Sequence, residues 1–164
     1  MVDDGGGEMT DIKETDKAYL AGLFDGEGCV AIAKCNSKRT PTPIYSLIVV
    51  ITNSQRDFLD YYRSLTNLGS VKTDKNISHS NWRSTHQWWI TSKQAKIFLE
   101  LIYPYLKIKR EQVDIAFAFR NTFIVKGGWY GKTKKGVKGG DTVPLDIIHQ
   151  RERYYQTLSA LKKS

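Results

Sequence analysis

Two carboxylates, Asp25 and Glu27, alternate with glycines at the end of the run 18–28, Ala-Tyr-Leu-Ala-Gly-Leu-Phe-Asp-Gly-Glu-Gly. The run has the composition of a short helix, with Thr15 or Asp16 as its N-cap. The C-terminal end of a helix carries partial negative charge and is a poor place for unpartnered carboxylates. A bound cation would resolve that conflict. The plainer alternative is a buried helix closed by a glycine C-cap, which the spacing alone favours. A second polar cluster, Lys107, Lys109 and Arg110 within 104–112, reads by itself as a solvated basic turn at a helix start. His79, His86 and His149 have no metal-ligand spacing, and the glycine-lysine run 127–140 lacks the spacing of a P-loop.

The elements around the carboxylates follow from pattern. Apolar residues surround the first helix instead of forming one stripe, so it is expected to be buried on both sides. Ala18, Gly22 and Gly26 recur at i, i+4 and i+8, a column that lets a second helix approach until the backbones nearly touch. Tyr19, Leu20, Leu23 and Phe24 are left for the chain's own core. Strands are expected at 29–34 and 44–52, then a helix opened by a capping box at Ser54-Gln55-Arg56-Asp57 and ending near Asn67 and Gly69. Strands at 70–75 and 82–91 follow, then a helix capped by Ser92 with Ile97, Phe98, Leu101 and Ile102 inward. Further helices are expected at about 109–126 and, after Pro144, at the C-terminus with Leu145, Ile148, Tyr155, Leu158 and Leu161 inward. Strands segregated from helices argue for an α+β fold, with an antiparallel sheet covered on one face.

At 164 residues the chain suits one domain, here 15–164 behind a flexible lead 1–14. Net charge is +8, unevenly placed: residues 1–16 hold six acids and one lysine, leaving a body of 24 basic and 11 acidic side chains, net +13. A body that basic suggests a polyanion, nucleic acid before membrane. Cys29 and Cys35 are too few for a zinc knuckle and lack redox spacing, so they read as free thiols. The longest apolar stretch, 47–51, is only strand-length, and a soluble intracellular protein is expected.

Leu20-Ala21-Gly22-Leu23-Phe24-Asp25-Gly26-Glu27-Gly28 resembles the nine-residue signature of the LAGLIDADG homing endonucleases, matching it at Leu20, Ala21, Gly22, Leu23, Asp25 and Gly28. Glu27 stands where that family's metal-binding acid is usually Asp, keeping the charge on a longer arm. The segment 104–112 is similar to the family segment that delivers a basic residue. The resemblance covers about 15–125 and implies an αββαββα core, its four-stranded antiparallel sheet a saddle on DNA, with extra helices C-terminal to it.

That resemblance also implies roles. Glu27 and the Gly26 carbonyl would hold Mg2+, with Mn2+ as a substitute and Ca2+ binding without supporting cleavage. Lys109 would be the pocket lysine that stabilises charge at the phosphate or lowers the pKa of an attacking water. Asn53 aligns with a solvent-orienting position, although a shift of one residue selects Thr52 or Ser54. A single signature copy implies a homodimer whose helices cross through Ala18, Ala21, Gly22, Asp25 and Gly26. Candidate contacts to double-stranded DNA are Lys34, Lys38, Arg39, Ser46, Lys72, Asp74, Lys75, Arg83, His86 and Trp88, with Lys132, Lys134, Lys135 and Lys138 on phosphates. Parity in 82–91 stays open: alternation turns Arg83, Thr85 and Gln87 outward, whereas the family alignment selects His86 and Trp88. The implied activity is a staggered double-strand break in a long pseudo-palindromic site by metal-assisted hydrolysis, from an intron-encoded gene. Two rivals share the fold: a catalytically idle DNA-binding regulator, and a maturase acting on intron RNA.

Overall fold

The computed structural model describes residues 12–36, 38, 41–74, 84–125, 128–129 and 143–163. The elements are Glu14–Glu27 (α1), Gly28–Cys35 (β1), Ile44–Asn53 (β2), Arg56–Thr66 (α2), Ser70–Asp74 (β3), Thr85–Thr91 (β4) and Ser92–Ile102 (α3). A 3-10 turn at Tyr103–Tyr105, then Arg110–Asn121 (α4), the short strands Ile124–Val125 (β5) and Gly128–Trp129 (β6), and Leu145–Leu161 (α5) complete the order. Strands β1 to β4 form one antiparallel sheet in the order β1-β2-β4-β3. This is the expected αββαββα arrangement, followed by the helices α4 and α5.

Alternation builds the core. Val30 and Ile32 of β1, Tyr45, Leu47, Val49 and Ile51 of β2, and Trp88 and Ile90 of β4 are buried beneath the helices. The helices add Leu20, Ala21 and Phe24 from α1, Leu59 and Tyr62 from α2, Phe98, Leu99 and Ile102 from α3, and Val113, Ala116 and Phe119 from α4. Aromatic edges lock the centre: Phe98 meets Phe24 at 6.1 Å and Trp88 at 5.4 Å between ring centroids. Two glycines are sterically required. A Cβ at Gly28 would fall 2.2 Å from the Phe24 ring, and one at Gly69, where φ is +66°, 2.2 Å from the Trp89 carbonyl.

Several local expectations change. Helix α1 starts at Glu14 behind Lys13, with no side-chain cap, so neither Thr15 nor Asp16 serves. Gln55, not a capping box, heads α2, and the turn is made by Asn53, whose Oδ1 accepts the Gln55 N–H at 2.8 Å. Thr91 rather than Ser92 precedes α3. Leu99 is buried in α3, whereas Ile97 and Leu101 only flank the core; on α5, Leu145 is 67% exposed and Arg151 is buried. The Arg151 guanidinium donates to Thr122 Oγ1 at 3.0 Å and to its carbonyl at 3.1 Å, which fastens α5 behind α4. No helix among the described residues is long and apolar enough to cross a membrane.

Candidate active site and nucleic-acid interface

The last turn of α1 and the segment 106–109 hold each other reciprocally. Asp25 accepts three backbone N–H groups at the entrance to α4: Lys107 at 2.8 Å and Ile108 at 3.2 Å on Oδ2, and Lys109 at 2.9 Å on Oδ1. Lys109 is the N-cap of α4 and Lys107 and Ile108 precede it, so the carboxylate sits beside the positive end of that helix. Burial alone raises the Asp25 pKa, but the three N–H groups and the Lys109 charge outweigh it and hold the carboxyl below its ordinary 3.8. In return the Lys109 ammonium donates to the carbonyls of Phe24 at 2.9 Å and Asp25 at 2.7 Å, at the negative end of α1. Desolvation pushes the Lys109 pKa below its ordinary 10.5, against the pull of Asp25, Cys29 and Glu27.

The conflict at Asp25 is therefore resolved by the chain's own loop, and this carboxylate is a positioning group. Both of its oxygens face the chain's own loop, which corrects its place among the interface residues. Glu27 differs in every respect. It is the last residue of α1, it is exposed, and among the described residues no hydrogen bond or ion pair engages its carboxylate. The two signature acids thus divide: one is engaged by the chain's own backbone and the other is exposed.

A further cation lies beside them. The Lys162 ammonium, just beyond α5, donates to Cys29 Sγ at 2.9 Å, and its charge contributes to the lowered Lys109 pKa. Sequence reasoning missed both neighbours, because nothing local links a lysine near the end of the chain to a thiol 133 positions earlier. Asn53 reaches the same end of the sheet, since Ile51 pairs with Gly28, next to Glu27. Its carboxamide oxygen accepts one bond in the turn into α2, which leaves a second lone pair and the NH2 group for another partner.

A divalent ion fits this donor set in kind. Among the described residues no three His, Cys, Asp or Glu side chains form a metal-binding group. One chain instead offers the Glu27 carboxylate and the Gly26 carbonyl, both hard oxygens, while the carbonyls of Phe24 and Asp25 are occupied by Lys109. Hard oxygens suit Mg2+ or Ca2+, whose remaining ligands are commonly water and phosphate.

The sheet presents its other face away from the helices. By alternation and register Ser46, Lys72, Asp74, Thr85 and Gln87 lie on that face, with Thr52, Gln87 and Lys72 in one row across β2, β4 and β3. Gln87 Oε1 accepts the Trp89 indole N–H at 2.8 Å, and Lys72 lies 5.4 Å from the Trp89 ring centre. Lys38 sits on an exposed turn. Arg39, Lys75, Arg83, Lys132, Lys134, Lys135 and Lys138 lie outside the described residues.

Three expected DNA contacts are on the wrong face. Trp88 is fully buried, with its indole N–H donated to the Leu68 carbonyl at 2.8 Å. His86 shares that side and meets Thr73 Oγ1 at 3.0 Å, beside Arg56 of α2. Lys34 pairs with Glu152 of α5 at 2.8 Å, and Tyr45 donates its hydroxyl to the same carboxylate. Hydrogen bonding by Glu152 raises the Lys34 pKa above 10.5. Lys34 ties α5 to the sheet.

The small-residue column is exposed: Ala18, Gly22 and Gly26 face outward, and a Cβ at either glycine would meet nothing within 4 Å. The protomer's own packing does not require glycine there. Ala21 is fully buried among the core residues, so it cannot belong to that face.

The family model of the LAGLIDADG-like domain matches residues 14–103. No curated protein matches the chain. Among solved structures, the homing endonuclease I-CvuI in complex with DNA in the presence of Mg superposes with a TM-score of 0.70 at 14% identity, covering 90% of this chain and 82% of that one. The archaeal intron-encoded homing endonuclease I-Vdi141I complexed with DNA gives 0.67 at 12%, covering 89% and 83%. The homing endonuclease I-TnaI gives 0.59 at 13%, covering 94% and 98%. At such identities the likeness is one of fold. With the signature helix, the sheet order and the family match in agreement, the chain belongs to the LAGLIDADG family of homing endonucleases.

Proposed function

We propose that this protein is a site-specific DNA endonuclease that acts as a homodimer and makes a staggered double-strand break by divalent-metal-assisted hydrolysis. The observation that carries the reading is the division between the two acids: Asp25 is tied to three N–H groups of its own chain, whereas Glu27 is exposed and unengaged. The exposed Gly22 and Gly26 supply the second half of the reading. Their open Cβ positions suit a mate's helix, which would set two Glu27 side chains at one dyad. Two like charges brought together there favour a cation between them.

Glu27 and the Gly26 carbonyl would hold Mg2+, which when bound lowers the pKa of a water and stabilises a leaving oxygen. The chain's own groups do the rest. Lys109, fixed by two carbonyls and kept from full hydration, presents a desolvated positive charge close to Glu27. In such a setting a cation stabilises developing phosphate charge better than it would in water. The free face of the sheet would follow the major groove, with Thr52, Thr85, Gln87 and Lys72 toward base edges and further lysines on phosphates. I-CvuI and I-Vdi141I, which share the fold, are both seen on DNA, and I-CvuI with Mg or Ca present. An intron-encoded gene is consistent with I-Vdi141I, itself described as intron-encoded.

The test is selection of cleaved duplexes from a randomised pool with Mg2+, followed by mapping of both cut strands. The reading expects one long, nearly symmetric site with offset nicks. Selective binding without cleavage in Mg2+ or Mn2+ would instead establish the DNA-binding regulator.

A further inference from the structure

The free face of the sheet is apolar at its centre. Row by row, Cys29, Val50, Trp89 and Ser70 stand side by side across the four strands, and the next row holds Ala31, Ile48 and Thr91. Ile48, Val50, Trp89 and Ala31 are partly exposed, and Ile44 at the edge is 48% exposed. Scattered apolar side chains on a surface need no explanation, but a contiguous patch does. Polar groups frame it, with Thr52, Gln87 and Lys72 on one side and Ser46 on the other. The patch is also continuous with the candidate active site: Val50 pairs with Cys29, two residues past Glu27. A surface continuous with that site, on a chain of net charge +8, is suited to DNA.

We infer that Val50 and Ile48, flanked by Trp89, read thymine 5-methyl groups in the major groove of each half-site, so that part of the specificity is apolar. This rests on the endonuclease reading above. The major-groove edge of a T·A pair carries one apolar group, the C5-methyl, and aliphatic side chains are its natural partners. Neither Val50 nor Ile48 can donate or accept a hydrogen bond, so the only sequence information they can extract is the presence of that methyl. Trp89 is held in place for the task by its bond to Gln87 and by Lys72 over its ring. The polar row beside it would read neighbouring pairs by hydrogen bonds.

The experiment replaces thymine by deoxyuridine, which pairs identically but lacks the methyl. Duplexes bound by the wild-type protein in Ca2+ are selected from a random pool and sequenced. Their thymines are then replaced one at a time, and affinity is measured at fixed salt. The inference expects adjacent thymines in each half-site whose replacement weakens binding about fourfold each, the value of one buried methyl. Two such positions in both half-sites together give on the order of 200-fold. Val50→Ser and Ile48→Ser should lose the difference in affinity between the thymine and deoxyuridine duplexes, whatever their absolute affinity. Thermal unfolding confirms that the variants are folded, and the wild-type comparison needs no variant. Equal affinity for the two duplexes, with cleavage intact, overturns methyl reading and leaves the nuclease standing. Failure to select any preferred duplex overturns both. If Val50→Ser changes the sedimentation of the protein and not its DNA preference, the patch is a contact between copies of this chain and the inference falls.

Discussion

Asp25→Asn is the substitution that most sharply tests how the site is held. It preserves size and one acceptor oxygen, but it removes the charge and turns an NH2 group toward backbone N–H donors. The wild-type carboxylate accepts three of them, at 2.8, 3.2 and 2.9 Å. A hydrogen bond to a charged group is worth about 1.5–3 kcal/mol, and partial exposure places these at the lower end. Losing one oxygen's share and the charge should cost about 2 kcal/mol, and Asp25→Ala about 3 kcal/mol. With a typical urea slope, the first corresponds to a midpoint lowered by about 1 M. Because the folded pKa is depressed below 3.8, this stabilisation is present above that value and is lost as pH falls through the folded pKa. The difference between wild type and variant should therefore vanish in strong acid. Urea unfolding across pH, with hydrogen exchange at the Lys107, Ile108 and Lys109 amides, measures both effects. Cleavage should fall as well, since Lys109 is carried by the loosened segment. A variant with the wild-type midpoint and equally protected amides would refute the reasoning.

Three further outcomes are expected. Gly22→Leu leaves the protomer folded, because the position is open in the single chain, yet abolishes dimer and cleavage together; sedimentation beside a nicking assay decides it. If the protonated Lys109 is the active form, the pH–rate profile loses activity on the alkaline side with a midpoint below 10.5, and Lys109→Arg moves that limb upward. A rate that is flat to pH 10.5 removes Lys109 from the chemistry. Trp88→Ala should destabilise by about 3–5 kcal/mol, as loss of a core aromatic does, without shifting sequence preference per folded molecule. A changed target with unchanged stability would put Trp88 back on the DNA face.

The order of elements and the signature helix were legible because both depend on local pattern. Parity in β4 was harder, since Trp88 and Trp89 are equally apolar and either could face inward. Alternation turned Thr85 and Gln87 outward, and long-range contacts agree with it: Leu68 offers a carbonyl to the Trp88 indole, and Gly69 packs under the Trp89 carbonyl. Transferring positions from the family to His86 and Trp88 failed where the local alternation succeeded. Lys34 shows the limit from another side. It shares the parity of the buried Val30 and Ile32 and so lies on the helix face, although it was expected on DNA, and its partner Glu152 lies far along the chain. Helix electrostatics exposed a conflict at Asp25, whereas the resolving donors belong to the segment 107–109, more than 80 positions later. Lys162 left no sequence trace at all, because helix α5 delivers it through packing.

Glu27 is the acid that the fold leaves exposed, and the proposed cleavage depends on it most directly. Glu27→Gln removes its charge at almost constant volume, so one preparation can be assayed for Mg2+-dependent cleavage and for DNA affinity in Ca2+ and in chelator. Cleavage should drop below detection, because the ion loses its anionic ligand and water is no longer activated. Binding should persist, and in chelator it should strengthen, because two carboxylates facing phosphates no longer repel them. A folded Glu27→Gln dimer that still cuts its site at a near-normal rate would contradict the account.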